Sequence, residues 1–290
     1  MHRDGANFGP VQGTRREPCH RIVTDERRRN GPKAARPGGV VLGSPPDSVA
    51  SLARATSPRC ATLLASELPK TIMMYQPNLI RLKAITSLRI ISDANDAAIA
   101  DWLEARLGAA LAESPGEVAI TVPGGATPFP ILAELARRPL DWRRIAVWPG
   151  DDRIVPEGHP ASNAGRIRAA LEPAGARIVP LAEGACPPHF ALAWLGMGED
   201  GHIASLFPGA DPQADDPLML RRLTPDPLPP EAPFERLSMT IPALLDSGTL
   251  LFVIRGAAKR ALFEAAAAGE NDLPIARLLR AASQPVTCFT

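Results

Sequence analysis

The chain has 290 residues, 45% of them apolar, with 32 basic against 31 acidic side chains, so a large core can form in one domain or two. A formal net charge of +1 supplies no global field for nucleic acid or an anionic membrane. Four widely spaced cysteines without a CxxC pair argue against a disulfide framework or a four-thiolate zinc site, and no apolar run has the length of a signal-peptide core or a membrane span. These features lead to the expectation of a soluble, cytoplasmic chain.

Residues 1–72 carry 12 basic and 6 acidic side chains and hold the breaker-rich run Arg27 to Lys33, so burial there cannot offset the cost of ordering. They are expected to form a disordered leader, or an upstream-extended start with Met73 or Met74 as the true beginning. Residues 73–290 then form a single α/β domain. A strand is predicted at Leu88 to Ile91, followed by a helix in which Ile99, Leu103, Leu107 and Leu111 recur at helical spacing. EVAITV at 117–122 reads as a buried strand, and Pro128 opens the next helix at its first turn.

The unit repeats with a strand at Ile145 to Trp148 and a helix at Asn163 to Leu171. Further strands are predicted at 177–179, 191–195, 250–254 and 286–289, with helices at about 257–268 and 274–281. Such alternation predicts an α/β fold, a mainly parallel sheet with helices on both faces. The proline-rich stretch 208–233 excludes a continuous helix or central strand and is expected to be a surface excursion near the site.

Ligands bind at the carboxyl ends of parallel strands, and three strand-end segments have unusual content. Pro123-Gly-Gly-Ala-Thr-Pro128 brings backbone amides to a helix start, where an anion is favoured by roughly 0.3 to 1 kcal/mol, so a phosphate there also needs a cation. The second segment is a loop, Gly150-Asp-Asp-Arg153, leading to Ser162-Asn163. It offers a guanidinium for an anion, and Ser162 or Asn163 as helix cap or ligand contact. The third, Gly196-Met-Gly-Glu-Asp-Gly-His202, forces a sharp backbone excursion and delivers carboxylates beside an imidazole that exchanges protons near neutrality.

On these residues the chain resembles the 6-phosphogluconolactonase family. GMGEDGHIASLFPG at 196–209 resembles its signature, and the likeness extends through PGGATP, GDDRIVP, SNAGRIRAAL and Gly256 to Lys259, over about residues 86–290. The resemblance implies sugar-phosphate isomerase-like, Rossmann-type layers and hydrolysis of 6-phospho-D-glucono-1,5-lactone to 6-phospho-D-gluconate in the oxidative pentose phosphate pathway, without metal or organic cofactor. By the same resemblance His202 is the catalytic base with Asp200 beside it. Gly124, Gly125, Thr127, Asp151, Arg153, Asn163 and Lys259 are assigned to the substrate and its phosphate. Partners are then the sugar-phosphate lactone alone, with no membrane or specific nucleic acid, for a monomer or homodimer. The family pattern has Ser where Pro123 and Ala126 stand and Glu where Asp152 stands, and a helix before the 191–195 strand is missing.

Two other readings share this fold. A glucosamine-6-phosphate deaminase-type isomerase continues GHIA with Asn-Glu-Pro, whereas this chain has Ser205-Leu-Phe-Pro208. A non-catalytic sugar-phosphate sensor needs an attached helix-turn-helix, for which the leader shows no pattern. Gly196 to Gly201 formally spells GxGxxG, but no acidic residue ends a following strand at the spacing a dinucleotide site needs. Cys186 and His189 are too few for a metal.

Overall fold

The structure, a computed structural model, describes residues 87–226 and 233–290. The leader expected over 1–72 lies outside the described residues. The order is β1 (Leu88–Ile91), α1 (Asp96–Glu113), β2 (Val118–Val122), α2 (Pro128–Leu135), β3 (Ile145–Pro149), β4 (Asp151–Arg153), α3 (Asn163–Leu171), β5 (Arg177–Ile178) and β6 (Leu192–Leu195). Then come β7 (Leu220–Leu223), β8 (Arg236–Met239), α4 (Ile241–Leu245), β9 (Leu250–Val253), α5 (Ala257–Ala268), α6 (Pro274–Ala281) and β10 (Val286–Phe289).

Seven strands pair in parallel in the order β1-β10-β9-β6-β2-β3-β5. The central ones are buried throughout and, Thr121 of β2 apart, apolar, because both faces are covered. Alternate side chains feed two cores. Val118, Ile120 and Val122 join Ile99, Ile131 and Ile167 of α1, α2 and α3. Ala119, Ala146 and Phe252 join Leu244, Phe263 and Leu278 of α4, α5 and α6. Helices therefore lie on both faces, as the alternating pattern predicts.

Helix boundaries follow local chemistry. Asn95 Oδ1 accepts the Ala98 amide at 2.9 Å to start α1, and Ser162 Oγ accepts the Gly165 amide at 3.1 Å to start α3. Pro128 and Pro274 occupy first helical positions, where the missing N–H is no loss. Gly269 ends α5 at φ +76°.

Two findings differ from the sequence expectations or extend them. The Asp151–Arg153 segment, expected as loop, is an edge strand of a second sheet, β4-β8-β7, which is antiparallel. The proline-rich excursion contains β7, an edge strand, and leaves the interior to β8, which the sequence reading did not place.

In the parallel sheet the chain leaves β2 toward β3 and β5, then returns to β6 on the other side of β2. The strand order reverses between β2 and β6, so the loops leaving these two strands diverge and open a crevice. The Pro123 and Gly196 segments flank it, close enough that a Cβ on Gly196 would lie 3.4 Å from the Pro123 ring.

Candidate active site

The turn after β6 is built around two glycines that cannot be replaced without displacing a neighbour. A Cβ on Gly198 would stand 2.1 Å from His202 Cε1, so the imidazole lies directly over that backbone. Gly201 takes φ +79° and packs under Leu273, while its carbonyl accepts the Ile275 amide at 3.2 Å, fastening the turn to α6. The Gly198 amide donates to the His202 carbonyl at 2.9 Å and closes the turn.

His202 Nδ1 lies 2.6 Å from Asp200 Oδ1, which also accepts the His202 amide at 3.1 Å. The ring tilts against Phe207, 4.6 Å between centroids, and its side chain remains 32% exposed. A carboxylate at Nδ1 selects the tautomer with the proton there, which leaves the Nε2 lone pair free. Nε2 has no hydrogen-bond partner among the described residues.

The start of the same turn, Gly196 and Met197, lines a cleft of about 260 Å³ together with Gly125, Thr127, Arg255 and Lys259, and His202 itself is not among its lining residues. Two helix starts meet there. Thr127 precedes α2 without a side-chain cap, and Gly256 precedes α5 likewise; α2 opens Pro128-Phe-Pro130, so its first three positions offer a single N–H, that of Phe129, whereas the first turn of α5 keeps its amides for an anion. Arg255 is engaged with Asp96 and the Ala94 carbonyl. Lys259, half-buried on the first turn of α5, has no ion-pair partner among the described residues.

A third group forms between β4 and α3. Asp152 accepts four donors: the amides of Arg153 (2.8 Å), Asn163 (2.6 Å) and Ala164 (2.9 Å) and the Ser162 hydroxyl (3.2 Å). Burial raises its carboxyl above the usual Asp value, against the opposing pull of those amides. Asn163 packs on Gly124, where a Cβ would meet it at 1.9 Å, and its Oδ1 accepts Arg153 Nη1 at 3.1 Å. Arg153 Nη1 also donates to the Ala161 carbonyl at 3.1 Å.

Two arginines that sequence reading did not single out complete this group. Arg166 Nη1 donates to the Gly124 carbonyl at 2.7 Å and stacks on Phe129 at 4.0 Å. Arg236, on β8 opposite Arg153, is buried and lies over the Phe207 ring at 5.7 Å. Burial, and then the charge of Arg153, hold both guanidiniums below the usual arginine range, so the cluster is electropositive where water is scarce. Arg166 stood inside the SNAGR segment but carried no distinguishing spacing. Nothing local in PFERLSMT marks Arg236, because only the β4–β8 register brings it to Arg153.

The expected residues therefore fall into three neighbouring sets. His202 and Asp200 stand together; Gly125, Thr127 and Lys259 share the cleft; Gly124, Arg153 and Asn163 form a linked group whose arginine lines an adjoining cavity with Ser162 and Glu157. Arg153 and Lys259 do not line one common cavity. Asp151 is drawn away from the cleft, its Oδ2 accepting the Ser205 hydroxyl. Among the described residues no cluster of three or more His, Cys, Asp or Glu side chains is placed to hold a metal ion.

The model of the family described as glucosamine-6-phosphate isomerases/6-phosphogluconolactonase matches residues 92–186 and 174–287. The chain is 36% identical over 228 residues to 6-phosphogluconolactonase of Pseudomonas aeruginosa, covering 70% of this chain and 94% of that protein. It is 37% identical over 218 residues to that of Pseudomonas putida, covering 67% and 88%. The fold is similar to the crystal structure of 6-phosphogluconolactonase from Thermotoga maritima, with a TM-score of 0.59 at 22% identity over 70% of this chain and 98% of that one. A similar likeness holds to the enzyme from Trypanosoma brucei, with a TM-score of 0.60 at 20% identity over 70% and 95%.

Proposed function

The chain belongs to the glucosamine-6-phosphate isomerase/6-phosphogluconolactonase family, and from that premise we propose that it hydrolyses 6-phospho-D-glucono-1,5-lactone to 6-phospho-D-gluconate. The observation that carries this reading is the Asp200–His202 pair, whose Nε2 is uncommitted on the turn after β6 that begins with Gly196 and Met197, two residues lining the cleft of Lys259.

In the proposed reaction Nε2 of His202 takes a proton from water as its oxygen bonds to the lactone carbonyl carbon. The resulting tetrahedral intermediate collapses, the bond from that carbon to the ring oxygen breaks, and the imidazolium returns the proton to the departing oxygen. Asp200 keeps Nδ1 protonated and steadies the imidazolium. Such proton transfer contributes about 10² to 10⁴ in rate. A lactone is an activated ester, so a serine nucleophile is not required.

Lys259, the Gly124-Gly125 turn and Thr127 hold the phosphate in the cleft. Arg153, reaching that turn through Asn163, adds positive charge on its far side together with Arg166 and Arg236. Charged hydrogen bonds of this kind are worth roughly 1.5 to 3 kcal/mol each, enough to fix the distal end of the substrate and orient its carbonyl.

We read residues 73–290 as one catalytic α/β domain working in the cytoplasm as a monomer or homodimer, with no specific nucleic-acid or membrane partner. No helix among the described residues is long and apolar enough to cross a membrane. The test adds the protein to freshly generated 6-phosphogluconolactone and follows acid release, with unphosphorylated gluconolactone in parallel. Acid release well above the spontaneous rate, with strong preference for the phosphorylated lactone, is expected. A rate no faster than spontaneous opening overturns the reading.

A further inference from the structure

The His202 turn and the arginine cluster share the Phe207 ring, and a buried side-chain hydrogen bond also joins them. Ser205 is fully buried, and its hydroxyl donates to Asp151 Oδ2 at 2.5 Å across 54 positions of sequence. The Ser205 amide donates to Ser238 Oγ at 3.1 Å, and Ser238 is the register partner of Asp151. Asp151 also accepts Asn163 Nδ2 on its backbone carbonyl at 2.7 Å, and Asn163 in turn accepts Arg153. A continuous chain of hydrogen bonds thus runs from the residue three places after His202 to the guanidinium of Arg153.

The backbone between His202 and Ser205 gives this contact mechanical meaning. Ala204 holds φ +49°, a left-handed conformation that costs a residue with a Cβ about 1 to 2 kcal/mol. A turn under that load relaxes unless both sides are held. Gly201 is fastened to α6 on one side, and Ser205 is fastened to β4 on the other. Asp151 itself is buried and committed to protein donors, and its negative charge faces Arg236. A carboxylate so placed is a poor ligand for a phosphorylated substrate and a good anchor.

We propose that Ser205 and Asp151 are a positioning pair for His202: their buried hydrogen bond sets the distance and angle of the imidazole relative to the arginine cluster, and Asp151 does not bind substrate. This inference rests on the lactone-hydrolysis reading. It deepens it by separating a residue that holds the base in place from those that touch the lactone. Displacing a reacting group by about 1 Å costs on the order of 10² in rate.

The test measures kcat and KM for the phosphorylated lactone in wild type, S205A, D151A and the double variant. S205A is expected to lower kcat about tenfold or more with KM within twofold, and D151A to lower kcat comparably. The double variant is expected to fall no further than the weaker single, because both remove one link. Wild-type kcat in S205A, a loss carried by KM, or a double effect equal to the product of the singles overturns the proposal. If S205A does not fold, S205C, nearly isosteric with a weaker donor, is read by the same criteria. An inactive wild type removes the lactonase reading and this inference together, whereas an active wild type with an unaffected S205A removes only the inference.

Discussion

At the carboxyl edge of the sheet Asp200 serves one neighbour, His202, and its side chain stays 49% exposed, whereas Asp152 accepts four donors and is 9% exposed. The first carboxylate keeps an imidazole oriented beside solvent and leaves Nε2 uncommitted. The second ties β4 to the start of α3 and has nothing left to offer a substrate. Both stand in motifs that look equally reactive on paper. The comparison teaches that a group with an unused lone pair within reach of water is free for the proposed chemistry, and that a saturated, buried carboxylate is architecture.

Substitutions at the two sites should therefore separate activity from stability. H202A is expected to lower kcat by about 10² to 10⁴ while shifting Tm little, since the ring is partly exposed. Steady-state kinetics with thermal unfolding checks both, and wild-type turnover in H202A would collapse the contrast. R153A is expected to raise KM for the phosphorylated lactone by roughly 2- to 5-fold, as a positive charge acting from behind the Gly124 turn through Asn163 is removed at a cost of up to about 1 kcal/mol. KM for unphosphorylated gluconolactone should move far less, and equal changes for both substrates would remove Arg153 from phosphate recognition.

D152A leaves three amides without their acceptor, and each buried unsatisfied donor costs about 1 to 3 kcal/mol, so a loss of at least 2 kcal/mol in unfolding free energy is expected. Denaturant titration measures it. An unchanged midpoint would mean that the knot does not hold α3 in place.

The smallest effect sharpens the same comparison through pH. Because burial raises the Asp152 carboxyl above its ordinary 3.8, the folded protein binds that proton more tightly than the unfolded chain. Its contribution is therefore fully present below that ordinary value and is lost as pH rises through the folded value. The stability of wild type relative to D152N should decline with rising pH over this window. A difference independent of pH would show that the carboxyl titrates alike folded and unfolded.

Most of the parallel sheet was legible because its central strands are nearly continuous apolar runs between turn signals, and burial on both faces favours such runs. The second sheet was not legible. Its strands DDR, LRRL and RLSM are short and polar, and they exist only through pairing with one another. The His202 turn could be read because its glycines and its imidazole lie within seven residues. Arg236 could not, since 83 positions separate it from its register partner Arg153.

The sequence by itself determined the layered α/β architecture, the strand-end turns and the glycine-hinged turn that carries His202, because backbone conformation and burial are written in short-range patterns of glycine, proline and apolar residues. Only the tertiary structure decided that Asp151 anchors Ser205, that Asp152 caps α3, and that Arg153 gathers with Arg166 and Arg236. Those roles depend on which distant side chains share a buried volume. Strand order and register fix that volume, and no local pattern encodes them.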